Sequence, residues 1–112
     1  MMHTDLFQTL ADPTRRLIVE ALQGREQSVN DIVARVRIHQ SGVSRHLRIL
    51  NEAGFVRVRP DGAKRLYSLR PERFYELEVW LTPFRSAWET RLDRFAEALA
   101  KKQKASRRRP DP

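Results

Sequence analysis

The sequence predicts a mainly α-helical domain that carries one small β-hairpin, and three observations lead to this fold class. Apolar residues repeat at helical spacing up to Gly54. The period then changes to two over residues 55–69, and helical spacing returns after Arg70-Pro71. The chain has 112 residues, which suffices for one domain with a small core.

Two helices are expected before Gly24. The first is short and covers about residues 4–11. The second has Asp12 as its N-cap and Pro13 at its first position, where a missing N–H costs nothing. Gly24 then follows the end of this helix.

A pair of helices separated by a short turn is expected next. Ser28 and Asp31 form a capping-box pattern that opens a helix over about 29–36. Residues 37–40 form the connection, and a second helix covers about 41–53 and stops at Gly54. This arrangement predicts a helix-turn-helix.

The stretch 55–69 predicts a β-hairpin beside the helix pair, which makes the fold a winged helix-turn-helix. Asp61-Gly62 is the turn signal between the strands FVRVR and AKRLYSL. In the first strand, Val56 and Val58 face one way, and Arg57 and Arg59 face the other. The apolar anchors of the second strand are Leu66, Tyr67 and Leu69.

The region after Arg70-Pro71 predicts two further helices, about 72–81 and 83–102, with a break at Thr82-Pro83. An apolar stripe near heptad spacing crosses this break and ends at Leu99. Such a stripe in a small chain predicts a twofold dimer through the first and last helices. The expected interface residues are Leu6, Leu77, Leu81, Phe84, Trp88, Leu92 and Phe95. The cluster of Trp80, Phe84 and Trp88 is expected to form the core of this dimer interface, and an apolar effector pocket is its alternative role.

The net charge of +8 is concentrated in two places. Residues 35–70 hold nine Lys or Arg against two acids, and residues 101–112 hold six against one, so the remainder is net acidic. A basic middle on an acidic frame indicates a polyanion partner. Residues 1–100 are expected to form the DNA-binding and dimerisation domain. Residues 101–112 are expected to form a basic disordered tail that serves as a solubility element or a non-specific DNA arm.

The helix over 41–53 has one apolar side, made of Val43, Leu47 and Leu50. Its opposite side carries short hydroxyls and arginines, a composition that suits a DNA major groove because arginine grips guanine with two hydrogen bonds. The hairpin 55–69 is called the wing below. Its cations, Arg57, Arg59, Lys64 and Arg65, are expected to contact phosphate or the minor groove. The alternative is that their charge protects an edge strand from pairing. His46 is expected to pack or to bind phosphate. The candidate DNA-binding residues are His39, Gln40, Ser41, Ser44, Arg45, Arg48, Arg57, Arg59, Lys64 and Arg65.

The runs LADPTRRLIVEAL and SVNDIVARVRIHQSGVSRHLRILNEAGFVRVRPDGAKRLYSL resemble the ArsR family of winged helix-turn-helix repressors. The resemblance is close over about residues 3–70 and loose over 71–100. It implies a dimer that binds an inverted repeat and releases it when an effector binds. Gln40, Ser41, Ser44 and Arg45 match the base-reading positions of the family.

The resemblance does not extend to the metal sites of metal-sensing members. The chain has no cysteine, and residues 71–100 have no histidine. The segment Trp88–Asp93, WETRLD, is similar to a pattern of the metal-independent subgroup. We therefore expect neither a metal nor another cofactor, and the sequence assigns no effector.

These observations predict a sequence-specific DNA-binding regulator: a homodimeric repressor that binds half-sites roughly 10 bp apart on double-stranded DNA. The alternatives are a winged-helix module that binds protein and a non-specific architectural DNA-binding module. An enzyme is not expected, because the chain has no glycine-rich phosphate loop, cysteine nucleophile or His/acid constellation. No signal peptide or membrane partner is expected, which predicts a cytoplasmic, nucleoid-associated protein.

Overall fold

The computed structural model describes the backbone of residues 2–108 and the side chains of residues 6–107. Within this part, the elements follow one another in this order: α1 (Met2–Ala11), α2 (Pro13–Leu22), β1 (Gln27–Ser28), α3 (Val29–Val36), α4 (Gln40–Glu52), β2 (Val56–Asp61), β3 (Lys64–Leu69) and α5 (Pro71–Arg108). This is a mainly helical fold with a small antiparallel sheet, as the sequence predicts. The contacts divide it into two compact units, and the division falls within α5 after Leu77.

The first unit has an apolar core to which four helices and the base of the hairpin contribute. Phe55 is its largest fully buried side chain, and the ring of Phe74 packs edge-on against it at 5.3 Å between centroids. The buried apolar residues of this core are Leu6, Ile18, Leu22, Ile32, Val43, Leu47, Leu50, Phe55 and Val56. The helix-turn-helix and the hairpin therefore share one core.

Two arginines at the start of α2 stabilise the corner between α1 and α2. The Asp12 carboxylate accepts from the backbone N–H groups of Thr14 and Arg15, which confirms Asp12 as the N-cap. Arg15 Nε donates to the Thr9 carbonyl at 2.6 Å, and Arg16 Nη1 donates to the Leu10 carbonyl at 2.7 Å. The carbonyls at the end of α1 lack helical partners, so these bonds explain the run ADPTRR physically.

The helix-turn-helix has the boundaries that its capping signals predict. Ser28 Oγ accepts from the Asp31 N–H, and the Asp31 carboxylate accepts from the Ser28 N–H, so the capping box is confirmed. Arg37 ends α3 in the left-handed conformation at φ 56°. The Ala53 carbonyl, at the end of α4, accepts from Arg73 Nε at 2.8 Å.

The hairpin belongs to a three-stranded sheet with the order β1-β3-β2. The strand β1 has two residues, too few for a period-two pattern, which is why the sequence did not predict it. The hairpin turn lies one residue later than predicted, at Gly62-Ala63, because Asp61 pairs with Lys64. A positive φ of 61° at the first loop position suits glycine and matches a type II′ turn.

The helix α5 is continuous across Thr82-Pro83, so the predicted break into two helices is wrong. Pro83 has no N–H to donate to the Val79 carbonyl, but it removes only that one helical bond. Thr82 Oγ1 donates to the Glu78 carbonyl at 2.7 Å in the turn before the proline.

The same helix continues through residues 101–108, which differs from the disordered tail expected from residue 101 onward. Lys, Arg, Gln and Ala are good helix formers, and basic residues stabilise the C-terminal end of a helix. The part of the predicted tail at 109–112 lies outside the described residues. No helix between residues 2 and 108 combines the length and apolarity needed to cross a membrane.

Candidate nucleic-acid interface

The helix α4 has one fully buried face and one exposed polar face. Val43, Leu47 and Leu50 have no accessible surface, as the sequence predicts. The opposite side lines a shallow depression formed by Ser41, Ser44, Arg45 and Arg48, all of which are exposed. The structure thus brings four of the predicted DNA-binding residues together on one face.

His39 caps the N-terminus of α4, a role that sequence reasoning missed. Its Nδ1 accepts from the Ser41 N–H at 3.2 Å and lies 2.9 Å from Ser41 Oγ. An acceptor at Nδ1 requires the neutral ring proton to be on Nε2, which leaves Nε2 as a donor. The only sequence signal was the position of His39 just before the helix, and histidine is not among the usual N-cap residues.

His46 is half-buried on α4, which agrees with the packing role expected for it. Its Nδ1 lies 3.5 Å from Nη1 of Arg15, the residue that also caps α1. His46 therefore connects α4 to the corner between α1 and α2.

The predicted wing cations do not share one face of the hairpin. Residues directly opposite each other on paired strands point to the same side of a sheet. Arg57 pairs with Ser68, Arg59 with Leu66, and Asp61 with Lys64, all on the side away from the core-facing Val56–Leu69 pair. Arg65 pairs with Pro60 and lies on the other side. The two sides of the wing thus carry separate basic groups.

Two of the wing arginines have acidic neighbours. Arg59 forms a bidentate pair with Glu26, with Nε at 2.8 Å from Oε2 and Nη2 at 2.9 Å from Oε1. This pairing lowers the pKa of the Glu26 carboxyl and raises the pKa of Arg59. Arg57 Nη2 lies 4.0 Å from the Glu72 carboxylate, with both side chains exposed. Arg59 is therefore much less available to a phosphate than the sequence alone suggests.

The remaining four cations of the candidate interface form no close ion pair within the described residues, although the charge of Lys64 contributes to lowering the pKa of Asp31. Among the described residues, no carboxylate forms an ion pair with Arg45, Arg48, Lys64 or Arg65. Lys64 and Arg65 line a groove that also contains Gln40 and Asn30, so the wing tip and the starts of α3 and α4 meet there. Asn30 was not predicted, since one exposed asparagine in a helix carries no sequence signal.

Of the predicted dimer residues, two in the first unit do not form a free surface. Leu6 is fully buried in the core of its own unit, so its prediction as an interface residue is wrong. Leu77 is half-buried and packs against the same core.

The predicted dimer residues in the second unit are all exposed. The accessible fractions of Leu81, Phe84, Trp88, Leu92 and Phe95 range from 36% to 62%. Arg91 stacks over the Trp88 ring at 5.5 Å from its centroid. The five apolar residues Leu81, Phe84, Trp88, Leu92 and Phe95 are called the α5 stripe below.

Metal ligands do not converge in the part of the chain that the structure describes. No three side chains of the His, Cys, Asp and Glu types come together there in a way that could hold an ion. Independence from metal stays a prediction of the sequence.

Comparisons with known proteins agree with this geometry. The family described as bacterial regulatory protein, arsR family, matches residues 12–58. The HTH-type transcriptional regulator Rv2034 of Mycobacterium tuberculosis is 34% identical over 83% of this chain and 84% of its own length. The transcriptional repressor SdpR of Bacillus subtilis is 30% identical over 71% of this chain and 89% of its own.

Solved structures show the same relationship. A possible transcriptional regulator for arsenical resistance is 39% identical, with a TM-score of 0.64 over 84% of this chain and 95% of that chain. Rv0081 of M. tuberculosis is 32% identical, with a TM-score of 0.62 over 80% of this chain and 92% of that chain. With its helix-turn-helix, its wing and these relatives, the chain belongs to the ArsR family of transcriptional regulators.

Proposed function

We propose that this regulator is a homodimeric repressor that binds an inverted-repeat operator through α4 and the hairpin β2–β3. One observation carries the proposal. The exposed face of α4 presents two hydroxyls and two arginines, Arg45 and Arg48, that no carboxylate neutralises among the described residues. An unpaired guanidinium beside short side chains is the surface that a major groove accepts.

The residues on the exposed face of α4 divide into those that contact base edges and those that contact phosphate. Arg45 lies one helical turn inside α4 and reaches base edges, with guanine O6 and N7 as its preferred partners. Arg48 lies further along the helix and contacts phosphate. Gln40 and Ser41 lie at the N-terminal end of α4, where the helix dipole favours phosphate and their side chains can donate to it, and the Nε2–H of His39 is a further donor.

The wing supplies contacts that hold the protein in place and are independent of sequence. Lys64 and Arg65 form no ion pair among the residues that the structure describes, and they line the groove that Gln40 also lines. Phosphate contacts of this kind fix the position of α4 along the DNA without depending on the base sequence. Arg57, whose acidic neighbour is 4.0 Å away, remains a third candidate.

The α5 stripe supports the dimer. Five large apolar side chains lie exposed on one helix, in a pattern that buries well against a second copy. A twofold dimer would present two copies of α4 to DNA, and an inverted repeat has the same symmetry.

Repression is proposed because SdpR, a relative, is named a transcriptional repressor. The proposal places the protein in the cytoplasm, bound to the nucleoid. It includes no metal effector, since the whole sequence has no cysteine and residues 71–100 have no histidine.

Selection from a random DNA pool at about 150 mM salt tests the proposal, because specific binding exceeds non-specific binding by roughly 10³-fold or more. The expected product is an inverted repeat whose half-sites lie roughly 10 bp apart. Sedimentation of the complex should give two chains per operator. Salt-sensitive binding without any enriched motif would instead show an architectural DNA-binding module.

A further inference from the structure

The ion pair between Arg59 and Glu26 has a geometry that fixes both groups. Arg59, on β2, donates three hydrogen bonds of 2.8–3.1 Å to the carboxylate of Glu26, which lies just before β1. A planar guanidinium held by both carboxylate oxygens has one orientation, whereas a single point contact would leave it free to rotate.

The strand order shows what this pair connects. The strand β3 lies between β1 and β2, and its residue Leu66 is opposite both Arg59 and Ser28. To reach Glu26, the Arg59 side chain must therefore cross the middle strand. Because Ser28 is the N-cap of α3, the pair joins the outer strand of the wing to the start of the helix-turn-helix.

The apolar core holds only the base of the hairpin. Val56 is fully buried, and Tyr67 and Leu69 pack against the core, but Val58 is already 36% exposed. Every residue from 59 to 65 is exposed. The outer half of the wing, residues 59–65, thus projects beyond the core. It begins at Arg59, which binds Glu26, and it carries Lys64 and Arg65.

We propose that Glu26 and Arg59 form a clamp that fixes the position of the wing, and that Arg59 is a positioning residue instead of a phosphate contact. The clamp holds the outer hairpin where Lys64 and Arg65 meet DNA, and this part of the inference rests on the proposed function. The clamp itself is a property of the free protein.

A phosphate contact by Arg59 makes the opposite prediction for Glu26. If Arg59 bound phosphate, Glu26 would compete with DNA for the guanidinium, and removing its charge would strengthen binding. If Glu26 positions the wing, removing its charge weakens binding even though a negative charge near DNA has been lost. The sign of the effect therefore separates the two roles.

The experiment uses the full chain with four changes: Glu26→Gln, Arg59→Gln, both together, and the exchanged pair Glu26→Arg with Arg59→Glu. Affinity for the selected operator is measured for each, and amide hydrogen exchange of the hairpin is measured without DNA. Both single changes should weaken operator binding by roughly two- to five-fold, the size of one exposed ion pair. The double change should be no worse than either single one, and the exchanged pair should restore affinity.

The hydrogen exchange decides the clamp independently of DNA. Glu26→Gln should speed exchange of amides in the outer hairpin, leave α3 and α4 unchanged, and be reversed in the exchanged pair. Stronger operator binding by Glu26→Gln, or unchanged exchange in the hairpin, would overturn the clamp. Faster hairpin exchange in a protein that selects no operator would support the clamp and reject the proposed function.

Discussion

The residues of the candidate interface differ most in whether their charge is already paired within the protein. Arg59 has a bidentate carboxylate partner, whereas Arg45, Arg48, Lys64 and Arg65 have none among the described residues. Their chemistry is nearly the same, so the sequence treats these five cations alike. The fold separates them by placing one carboxylate beside Arg59.

Some residue contacts were predictable because their partners are close in sequence. The capping box of Ser28 and Asp31 spans three residues and was predicted fully. The pair of Arg59 with Glu26 spans 33 residues and depends on the sheet order, which a two-residue strand decides. No local pattern encodes such a contact.

His39 provides a test of the cap that it forms on α4. His39→Ala removes the acceptor for the Ser41 N–H and should lower the free energy of unfolding by about 0.5–1 kcal/mol. His39→Asn, which keeps a short acceptor, should retain most of the stability. Urea unfolding measures both variants. If alanine were as stable as histidine, the cap would contribute nothing.

At the scale of elements, the helix-turn-helix was the most predictable part of the fold. Its two helices have strong capping signals and a regular apolar period, and their boundaries agree with the structure to about one residue. The turn of the hairpin was displaced by one position, because Asp61-Gly62 and Gly62-Ala63 both offer a glycine at a loop position.

The helix α5 shows the limit of reading proline as a stop. A proline removes one hydrogen bond and causes a local clash, but helical residues on both sides can outweigh that cost. The pattern around Pro83 gives no measure of this balance. The sequence pattern therefore could not predict that α5 continues through Pro83, as the structure shows.

Substitution of Pro83 tests this account of α5. Pro83→Ala restores an N–H to the Val79 carbonyl and should stabilise the helix by up to about 3 kcal/mol. Thermal unfolding followed by circular dichroism measures the gain. Ser86→Ala, at an exposed position one turn later, should gain no more than about 0.5 kcal/mol. A neutral or destabilising Pro83→Ala would show that the lost hydrogen bond at Pro83 costs the helix nothing, and would contradict this explanation.

In the whole molecule, the α5 stripe is a row of exposed apolar side chains that association of two chains would bury. Its apolar spacing was visible in the sequence, and all five of its residues are exposed, as a dimer surface requires. Leu6 was misassigned because the apolar pattern of an amphipathic helix is the same for a residue that packs within one chain and for a residue that packs between two chains. Burial in the structure decides between these possibilities.

Removal of one aromatic ring from the α5 stripe tests the dimer. Trp88→Ala should cost about 2 kcal/mol or more of association, as an interface anchor does, and should weaken operator binding with it. Tyr75→Ala, an exposed ring on the polar side of the same helix, is the control. Sedimentation equilibrium measures association. A Trp88→Ala protein that stays dimeric at wild-type affinity would exclude the stripe as the interface.

The stability of the molecule should fall in acid. The pKa values of Asp12 and Asp31 are lowered by backbone N–H donors, those of Arg15 and Ser28 first, and that of Glu26 by Arg59. A carboxyl with a lower pKa when folded contributes stability above its ordinary value, 3.8 for Asp or 4.5 for Glu, and loses it as the pH falls through the folded value.

Unfolding free energies measured from about pH 6 down to about pH 3 should therefore decrease steadily below about pH 4.5. Combining Asp12→Asn with Asp31→Asn keeps side-chain acceptors at both caps but removes two titrating groups. This variant should show a shallower decrease. An equal slope in both proteins would mean that these caps do not drive the acid sensitivity.

Arg45→Ala tests whether the exposed face of α4 reads base edges. The measurement compares affinity for the selected operator with affinity for each single-base variant, and uses Arg94→Ala, an exposed arginine on α5, as the charge-matched control. If Arg45 reads a base, Arg45→Ala should lose about 1–3 kcal/mol of binding free energy on the operator and relax the preference at one base pair in each half-site. A loss that is equal on all sequences would mean that Arg45 contacts phosphate only, and the same loss in Arg94→Ala would mean that only the overall charge matters; either result rejects base reading by α4.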